Sequence, residues 1–293
     1  MNQVFLILAH INPEQLHLLI KQLQSKESWF FIHIDKKSPL HVFQDQTCNM
    51  SNITYISERY SIKWGGFNIV KATLALMKEL VHSDIDYSHA HLISGQDIGL
   101  QPIDELNKYF SANADKSFLE YFQLPNKRWF SEGMNRVERY YLGHQSRGIG
   151  KMKRKCLSLT ESMVNDVIVK IAPCLKKKIP SSITLYGGSA WWSLNRACIE
   201  WILDYVNENK KIIRFFRSSL LPDEMIFQTI LLNGESLHLI ENDNKRYINW
   251  EKAVGGGPNW LGKSDFLTLK QSSCFFARKV DFETGEELYN RLT

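Results

Sequence analysis

Two adjacent carboxylates stand where a helix is expected to begin in the segment Leu221–Thr229, which reads LPDEMIFQT. Pro222 suits the first position of a helix because the N–H that proline lacks would have no partner there. Apolar residues follow at helical spacing, so Asp223 and Glu224 are predicted to lie in the first turn, beside the positive end of the helix dipole. A carboxylate in that position stays ionised at neutral pH and can accept a proton from a substrate. Ordinary acidic enrichment at a helix start is the alternative interpretation of this segment.

Two adjacent cations follow an apolar run later in the sequence. Phe275, Phe276 and Ala277 precede Arg278 and Lys279. If the run is a buried strand, the two cations lie near the interior and need an anion. Arginine can bind a diphosphate through two parallel donors, and lysine adds a point charge. An exposed strand end is the alternative.

Acidic residues also stand at the ends of two predicted strands. Asp35 ends the apolar run Trp29–Ile34, and Asp97 follows the strand Ala90–Ile93 after a short turn. In open α/β sheets, ligands bind beyond the carboxyl ends of the strands. Asp35 is therefore a candidate for contacting a base or ribose, and Asp97 for binding a sugar hydroxyl or serving as a second acid. Each residue would otherwise form an ordinary turn.

Glycine pairs next to tryptophans mark two further segments. Lys63–Gly66, which reads KWGG, precedes a predicted helix, where a close backbone approach and a helix N-terminus favour an anion. Gly187–Trp192, which reads GGSAWW, places two tryptophans beside a tight turn, and their ring faces can stack on sugars and nucleobases. Adjacent side chains in a strand point to opposite faces, so at least one of these tryptophans is predicted to lie in the core. A simple loop is the alternative for the first segment.

An acid-x-acid triplet, Asp84-Ile85-Asp86, is of the type that can hold Mg²⁺ or Mn²⁺ against a diphosphate. It lies between a predicted helix and the start of a strand, away from the carboxyl edge of the sheet, and this position predicts a solvated loop. The five cysteines are scattered without a C-x-x-C pair, so no zinc site is indicated.

These residues are carried by strands and helices that alternate along the chain. The βαβα order predicts an α/β fold with a mostly parallel, mixed sheet flanked by helices. A length of 293 residues suits one large domain, so residues 1–293 are assigned to a single domain. Residues 124–182 are basic, aromatic and irregular, with a helix predicted over 157–171. They are interpreted as an insertion over the site.

The composition limits the partners and the location. The formal net charge is +5, from 36 basic and 31 acidic residues, which is too mild to indicate a nucleic-acid-binding protein. The basic runs at 151–155 and 176–178 are interpreted as solvated faces, with an anionic membrane surface as the alternative. The sequence holds no apolar run long enough to span a bilayer, and its start lacks the features of a signal peptide. With the scattered cysteines, these features predict a cytoplasmic protein, and peripheral contact with the inner face of the membrane is the alternative that the basic runs leave open.

Six motifs occur in the order found in a known family. Together they resemble the core-2/I-branching β-1,6-N-acetylglucosaminyltransferase family, which includes the peptide O-xylosyltransferases. The similarity extends over nearly the whole sequence and rests on these segments: Ile32–Ser38, Lys63–Gly66, Ile93–Asp97, Gly187–Trp191, Pro222–Glu224 and Phe276–Lys279.

The resemblance implies a GT-A-like domain that transfers a sugar from a UDP-sugar, with inversion of configuration and without a metal ion. It identifies Glu224 as the general base. It implies the following further roles: diphosphate binding by Arg278 and Lys279, uridine binding by Asp35, Lys63 and Trp64, donor-side contacts by Trp191 and Asp97, and acceptor binding by Trp250.

Two departures from the family pattern leave the donor open between N-acetylglucosamine, xylose and similar sugars. The Arg278-Lys279 pair resembles the xylosyltransferase branch. The glucosaminyltransferase branch has a further arginine upstream, where this sequence reads Gly255–Trp260. Ala190 stands where the xylosyltransferase branch has an acid.

The predicted function is sugar transfer to a hydroxyl of a glycan or lipid-linked glycan, in the synthesis of a surface polysaccharide or a related glycoconjugate. Three alternatives remain open. They are a nucleotide-sugar or glycan-binding protein without activity, a glycoside hydrolase that uses Asp97 and Glu224 as its two carboxylates, and a nucleic-acid binder through the basic middle region. No nucleic acid, metal ion or other cofactor is expected.

Overall fold

The computed structural model describes residues 1–141, 176–234, 239–251 and 257–292. The helix predicted over 157–171 and the basic run at 151–155 lie outside these residues. The strands are, in chain order, β1 (Asn2–Ala9), β2 (Ser28–Ile34), β3 (Ile53–Tyr55), β4 (Tyr87–Ser94), β5 (Asp97–Gly99), β6 (Ser117–Leu119), β7 (Phe122–Gln123), β8 (Tyr186–Gly187), β9 (Trp192–Asn195), β10 (Ile240–Glu241), β11 (Arg246–Ile248) and β12 (Phe276–Arg278).

The α-helices pack around these strands. They are α1 (Pro13–Leu23), α2 (Leu40–Gln46), α3 (Asn68–His82), α4 (Ile103–Ala112), α5 (Met134–Glu138), α6 (Arg196–Glu208), α7 (Lys210–Arg217), α8 (Ile226–Leu232), α9 (Phe266–Lys270) and α10 (Phe282–Leu292). Within the described ranges, no helix combines the length and the apolar character that crossing a bilayer requires.

Seven strands form one sheet in the order β10-β6-β9-β4-β1-β2-β3. Neighbouring strands pair in parallel except at β9, which runs antiparallel to both β4 and β6. The prediction of an α/β fold with a mostly parallel, mixed sheet is therefore confirmed.

Strand β1 shows why this sheet lies between two layers of helices. Its sequence is NQVFLILA, and every residue after Asn2 is buried. Phe5 and Ile7 pack with side chains of α1 and α4, whereas Val4 and Leu6 pack with side chains of α3 and α6. Completely burying such a side chain stabilises the fold by about 1.5–3 kcal/mol. Alternate residues of one strand therefore hold helices on opposite faces of the sheet.

A small sheet, ordered β11-β12-β5, brings the last motif of the sequence to the first sheet's edge. Strand β5 begins shortly after the carboxyl end of β4. Strand β12 pairs antiparallel with β5, and the register places Arg278 opposite Asp97. This is the edge where ligands bind in open α/β sheets.

The basic run at 176–178 contains a buried lysine, so its interpretation as a solvated face is wrong for that residue. Lys177 keeps 6% of its surface exposed, and its Nζ atom donates to Ser219 Oγ at 2.6 Å. The same atom lies 4.2 Å from the centre of the Phe215 ring. A lysine stem can cover apolar surface, which explains how this side chain is accommodated. Lys178 is exposed, as predicted.

We expect Lys177→Met to stabilise the protein near neutral pH. Burial lowers the pKa of Lys177 to about 7 from a usual 10.5, so the folded state binds fewer protons than the unfolded state between these two values. The stability of the natural protein should therefore rise with pH across this window. The advantage of the variant is expected to be largest at pH 7 and below and to disappear towards pH 10.5.

Thermal unfolding at several pH values measures this effect. A gain of about 1 kcal/mol corresponds to a Tm higher by roughly 2–4 °C in a large domain. Lys178→Met removes an exposed lysine from the neighbouring position and serves as the control, with little expected change. An equal effect of both variants at every pH would contradict the interpretation.

Candidate active site

Glu224 lies in a single 3-10 turn, Pro222–Glu224, and not in the first turn of an α-helix. Met225 interrupts the helical path with φ −137° and ψ −39°, and α8 begins at Ile226. The predicted helix start at Pro222 is therefore wrong. Because Glu224 lies before α8, a helix dipole acting in the first turn of that helix cannot be the reason that its carboxylate is ionised.

Neighbouring loops fix the backbone of this turn. Leu221 adopts a left-handed conformation with φ 49°, and its N–H donates to the carbonyl oxygen of Gly65 at 3.0 Å. On the other side, the N–H of Gly188 donates to the carbonyl oxygen of Glu224 at 2.9 Å. Both contacts come from distant parts of the sequence, which explains why local helix signals misplace the start of α8.

An arginine from α5 pairs with the predicted base. Arg136 Nη1 donates to Glu224 Oε2 at 2.5 Å, and their side chains are 16% and 23% exposed. Burial raises the pKa of Glu224, and the charge and hydrogen bond of Arg136 oppose that rise. Arg136 therefore favours the ionised form of the Glu224 carboxylate, an effect that had been expected from a helix dipole.

Asp223, the other acid of the turn, has a different environment. It is buried, and its Oδ1 atom has no hydrogen-bond partner among the described residues. Burial, and secondarily the negative charge of Glu224, raise the pKa of Asp223 to about 7. The turn therefore presents two adjacent acids with unequal surroundings, of which Glu224 has the closer cation.

Arg278 is held from two sides. Its Nη1 atom lies 3.5 Å from Asp97 Oδ1, and its guanidinium carbon lies 3.8 Å from the centre of the Trp191 ring. The side chain of Arg278 is 12% exposed and that of Asp97 is fully buried. Burial lowers the pKa of Arg278, and Asp97 opposes this change. Asp97 also accepts a hydrogen bond from the Ser94 N–H at 3.0 Å.

This arrangement makes Asp97 the buried counter-ion of Arg278. Burial raises the pKa of Asp97, while the charge of Arg278 opposes the rise. A contact between Asp97 and a sugar stays a prediction. Trp191 is half-buried against Arg278, whereas Trp192 is completely buried and packs on Phe227. The prediction that at least one of the two tryptophans lies in the core is therefore confirmed.

The two ends of the predicted site are linked through the Gly187–Trp191 segment. The Gly188 N–H donates to the carbonyl oxygen of Glu224, and Trp191 of the same segment contacts the Arg278 guanidinium. The positive charge of Arg278 opposes the rise in pKa that burial produces at both Asp223 and Glu224. Gly188 connects the Trp191 segment to the same turn, and a Cβ atom at Gly188 would lie 1.9 Å from the carbonyl oxygen of Glu120. This glycine is thus required by packing, and its N–H helps to hold the turn of Glu224.

Lys279 lies next to an exposed tryptophan side chain. Its Nζ atom is 4.1 Å from the centre of the Trp260 ring, which is 49% exposed. Trp250 is 55% exposed, and a hydrogen bond of 2.8 Å between the Asn259 N–H and the Asn249 carbonyl oxygen brings the two tryptophan-bearing segments together. Burial lowers the pKa of Lys279, and the charge of Arg278 adds to this effect. Acceptor binding by Trp250 stays a prediction.

The predicted uridine-binding residues lie at the end of β2 and in the loop between β3 and α3. The two carboxylate oxygens of Asp35 accept hydrogen bonds from the backbone N–H groups of Lys37 at 2.8 Å and Ile62 at 3.0 Å. Asp35 thereby ties the strand end to the loop that carries Lys63 and Trp64. Trp64 is 63% exposed, as a stacking surface requires. Uridine binding by these residues stays a prediction.

The acid-x-acid triplet lies at the opposite end of the sheet. Asp84 and Asp86 are exposed and immediately precede the first residue of β4, Tyr87, as the prediction of a solvated loop requires. In the part of the chain that the structure describes, no group of three or more His, Cys, Asp or Glu residues is placed to hold a metal ion. Metal independence stays a prediction.

Two residues of this region were not predicted from the sequence, namely Arg136, which pairs with Glu224, and Trp129, which contacts Arg136. The guanidinium carbon of Arg136 lies 3.6 Å from the centre of the Trp129 ring. The basic and aromatic character of the region after residue 124 was the available signal. No spacing rule relates these positions to the turn of Glu224, because the contact depends on the tertiary fold.

Comparisons with known proteins agree with the geometry. A family model described as Core-2/I-Branching enzyme matches residues 4–271. The chain is 26% identical over 295 residues to xylosyltransferase 2 of Rattus norvegicus, covering 94% of this chain and 31% of the rat protein. It is 25% identical over 288 residues to xylosyltransferase oxt of Drosophila pseudoobscura pseudoobscura, covering 91% of this chain and 30% of the fly protein. The chain thus spans about a third of the length of these relatives.

Two solved structures align over nearly the whole chain at low similarity. The apo form of mouse xyloside xylosyltransferase 1 has a TM-score of 0.44 and 10% identity, covering 97% of this chain and 99% of that chain. The galactosyltransferase LgtC, in complex with donor and acceptor sugar analogs, has a TM-score of 0.43 and 11% identity, covering 99% and 94%. At these TM-scores the alignments support no conclusion about this chain, and its fold class rests on the sheet described above.

Proposed function

The chain belongs to the Core-2/I-Branching enzyme family, and on that premise we propose that it is an inverting, metal-independent glycosyltransferase. The proposed donor is a UDP-sugar, and the proposed acceptor is a hydroxyl of a glycan or lipid-linked glycan. The mixed sheet agrees with the GT-A-like fold that the family resemblance implies. The observation that carries the proposal is that one segment joins the two groups: Gly188 donates a hydrogen bond to the turn of Glu224, and Trp191 contacts the Arg278 guanidinium.

Glu224 supplies the general base of this reaction. It takes the proton from the acceptor hydroxyl while the hydroxyl oxygen attacks the anomeric carbon of the donor. The bond from that carbon to the diphosphate breaks on the opposite face, so the configuration inverts. A general base contributes about 10²–10⁴-fold to the rate. The side chain of Glu224 is 23% exposed, which leaves carboxylate surface for an acceptor to approach.

Arg278 and Lys279 supply positive charge for the leaving group. The departing UDP gains negative charge, and cations that are already in place stabilise it without reorganising. The contacts of Arg278 with Asp97 and Trp191 fix its guanidinium before any substrate binds. Two adjacent cations of this kind can offset a diphosphate, and this supports the metal-independent form of the proposal.

The relatives suggest which donors to test first. Both of the curated relatives described above are named xylosyltransferases, which makes UDP-xylose the first candidate. UDP-N-acetylglucosamine is the second candidate because the motifs also resemble those of the glucosaminyltransferase branch.

A donor screen tests the proposal directly. The purified protein is incubated with UDP-xylose, UDP-N-acetylglucosamine, UDP-glucose or UDP-galactose, with and without EDTA, and released UDP is measured. We expect UDP release from at least one donor at a rate that EDTA leaves unchanged, and that donor should raise the Tm. Complete loss in EDTA, restored by Mn²⁺, would contradict metal independence.

The same screen separates the alternatives. A binding protein without activity would be stabilised by UDP and would release no UDP from any donor. A glycoside hydrolase would release sugar from glycans in the absence of nucleotide. Either outcome would overturn the proposed transfer reaction.

A further inference from the structure

The side chain of Arg136 depends on tertiary contacts for its orientation. It lies on α5, which comprises five residues, and a helix this short has little stability of its own. Its guanidinium carbon lies 3.6 Å from the centre of the Trp129 ring, and its Nη1 atom lies 2.5 Å from Glu224 Oε2. The indole face and the carboxylate together define where the guanidinium can lie.

Trp129 is half-buried and packs closely against its neighbours. Its ring meets the Phe122 ring edge-on, with 4.9 Å between the ring centres. A Cβ atom at Gly187 would lie 2.5 Å from Trp129 Cη2, and a Cβ atom at Gly133 would lie 2.8 Å from Trp129 Cε3. The indole therefore fills space that is open only because residues 133 and 187 are glycines. Gly187 is adjacent to Gly188, which holds the turn of Glu224.

The backbone between Trp129 and α5 is held in an unfavourable conformation. Ser131 and Glu132 are left-handed, with φ values of 49° and 54°, and they are followed by Gly133 at φ 80°, a conformation that glycine adopts readily. A left-handed conformation costs an L-residue about 1–2 kcal/mol, and such strain is concentrated at functional sites. Hydrogen bonds from the Trp129 N–H to the Asn126 carbonyl oxygen, at 3.2 Å, and from the Glu132 N–H to the Trp129 carbonyl oxygen, at 3.0 Å, hold this turn.

We propose that Trp129 is a positioning residue whose indole face holds the Arg136 guanidinium against Glu224 Oε2 and so fixes the orientation of the carboxylate. The inference rests on the proposed function for its link to catalysis. Its structural part, the coupling of Trp129 to Glu224 through Arg136, can be measured without turnover.

The charges around Glu224 set the direction of the expected effect. Arg136 faces it from α5, Arg278 from β12 and Asp223 from the same turn, while Glu120, which follows β6, lies within range of its charge. If the indole is removed, Arg136 is released while the other groups remain. Burial then acts on Glu224 with less opposition, and the pKa of Glu224 should rise.

Three variants test the proposal. Trp129→Ala removes the indole face, Trp129→Phe keeps an aromatic face at the same position, and Trp201→Ala makes the same large-to-small change on α6, away from the site. The pKa of Glu224 is followed by carbon-13 NMR of the glutamate carboxyl carbons, and its signal is identified by its loss in Glu224→Gln.

We expect the Glu224 pKa to rise by about one pH unit or more in Trp129→Ala, the size of effect that a neighbouring opposite charge produces. It should lie close to the natural value in Trp129→Phe and in Trp201→Ala. An unchanged Glu224 pKa in a folded Trp129→Ala protein would overturn the proposal. If that variant does not fold, Trp129→Leu replaces it with the same criterion.

Turnover supplies the second readout, with UDP release from whichever donor the natural protein uses as the assay. We expect Trp129→Ala to lower kcat about 10-fold, which is less than the 10²–10⁴-fold contribution of a general base because Glu224 itself remains in place. The KM for the donor should stay unchanged, and the acid limb of the pH–rate profile should move to higher pH. A rise in donor KM with unchanged kcat would overturn the positioning role. If the natural protein releases no UDP, the proposed function fails, and the NMR titration still decides the role of Trp129.

Discussion

Replacing Glu224 with Gln is expected to lower kcat by about 10²–10⁴-fold, the contribution of a general base, while UDP still binds. The amide has nearly the shape of the carboxylate and can still accept a hydrogen bond from Arg136. It cannot take a proton from the acceptor hydroxyl at neutral pH. The loss should therefore appear in the chemical step and leave the binding of the donor nearly unchanged.

Released UDP and the thermal shift produced by UDP measure the two parts of this prediction. Glu200→Gln is a matched control, because Glu200 is 43% exposed on α6 and pairs only with its neighbour Arg196 among the described residues. The control should keep the natural rate. A near-natural rate in Glu224→Gln would show that another group accepts the proton, and Asp223→Asn would be the next variant to examine.

Replacing Arg278 with Met is expected to affect both activity and stability. The variant loses the guanidinium that is proposed to face the leaving UDP, and charge-assisted hydrogen bonds worth about 1.5–3 kcal/mol correspond to UDP binding that is roughly 10–100-fold weaker. It also leaves Asp97 fully buried without its cation, and breaking a buried ion pair in this way costs about 3–5 kcal/mol. Urea unfolding and UDP titration measure the two effects separately.

A second substitution distinguishes these two consequences. Asp97→Asn removes the uncompensated charge, so the double variant Asp97→Asn/Arg278→Met should recover much of the lost stability without recovering UDP binding. Lys279→Met is the contrasting single variant, since Lys279 is only half-buried and contacts the Trp260 ring. It should weaken UDP binding with little loss of stability. Equal destabilisation by Arg278→Met and by the double variant would disprove the role of Asp97 as counter-ion.

Much of the fold could be predicted because its signals are local. The continuous apolar runs of β1 and β2 indicate strands buried on both faces, and both strands occupy that position in the sheet. Side chains alternate between the two faces of a strand, so at least one of the adjacent tryptophans was predicted to be buried. Trp192 is completely buried. Such patterns depend on the period of a strand and on little else.

The errors arise where distant parts of the chain meet. The hydrogen bonds of the Pro222–Glu224 turn with Gly65 and Gly188 override a strong local helix signal. The burial of Lys177 depends on the Phe215 ring of another element, which its own neighbours in sequence do not reveal. Local composition describes the average environment of a residue type, whereas these positions are determined by particular contacts.

The candidate site shows the same limit more sharply. Motif order was enough to nominate Glu224 and Arg278, but their supporting residues could not be deduced. The contact between Arg136 and Glu224 joins residues 88 positions apart, and that between Asp97 and Arg278 depends on the register of two antiparallel strands. Their identification required the three-dimensional structure.

The placement of β12 between β5 and β11 has a consequence for biosynthesis. Asp97 is synthesised long before Arg278, so during translation the carboxylate of Asp97 leaves the ribosome without the arginine that pairs with it in the folded protein. A nascent polypeptide that has already completed the seven-stranded sheet would still lack the strand that brings this cation. Donor affinity should therefore arise abruptly, when the late strand inserts, and not gradually as the chain lengthens.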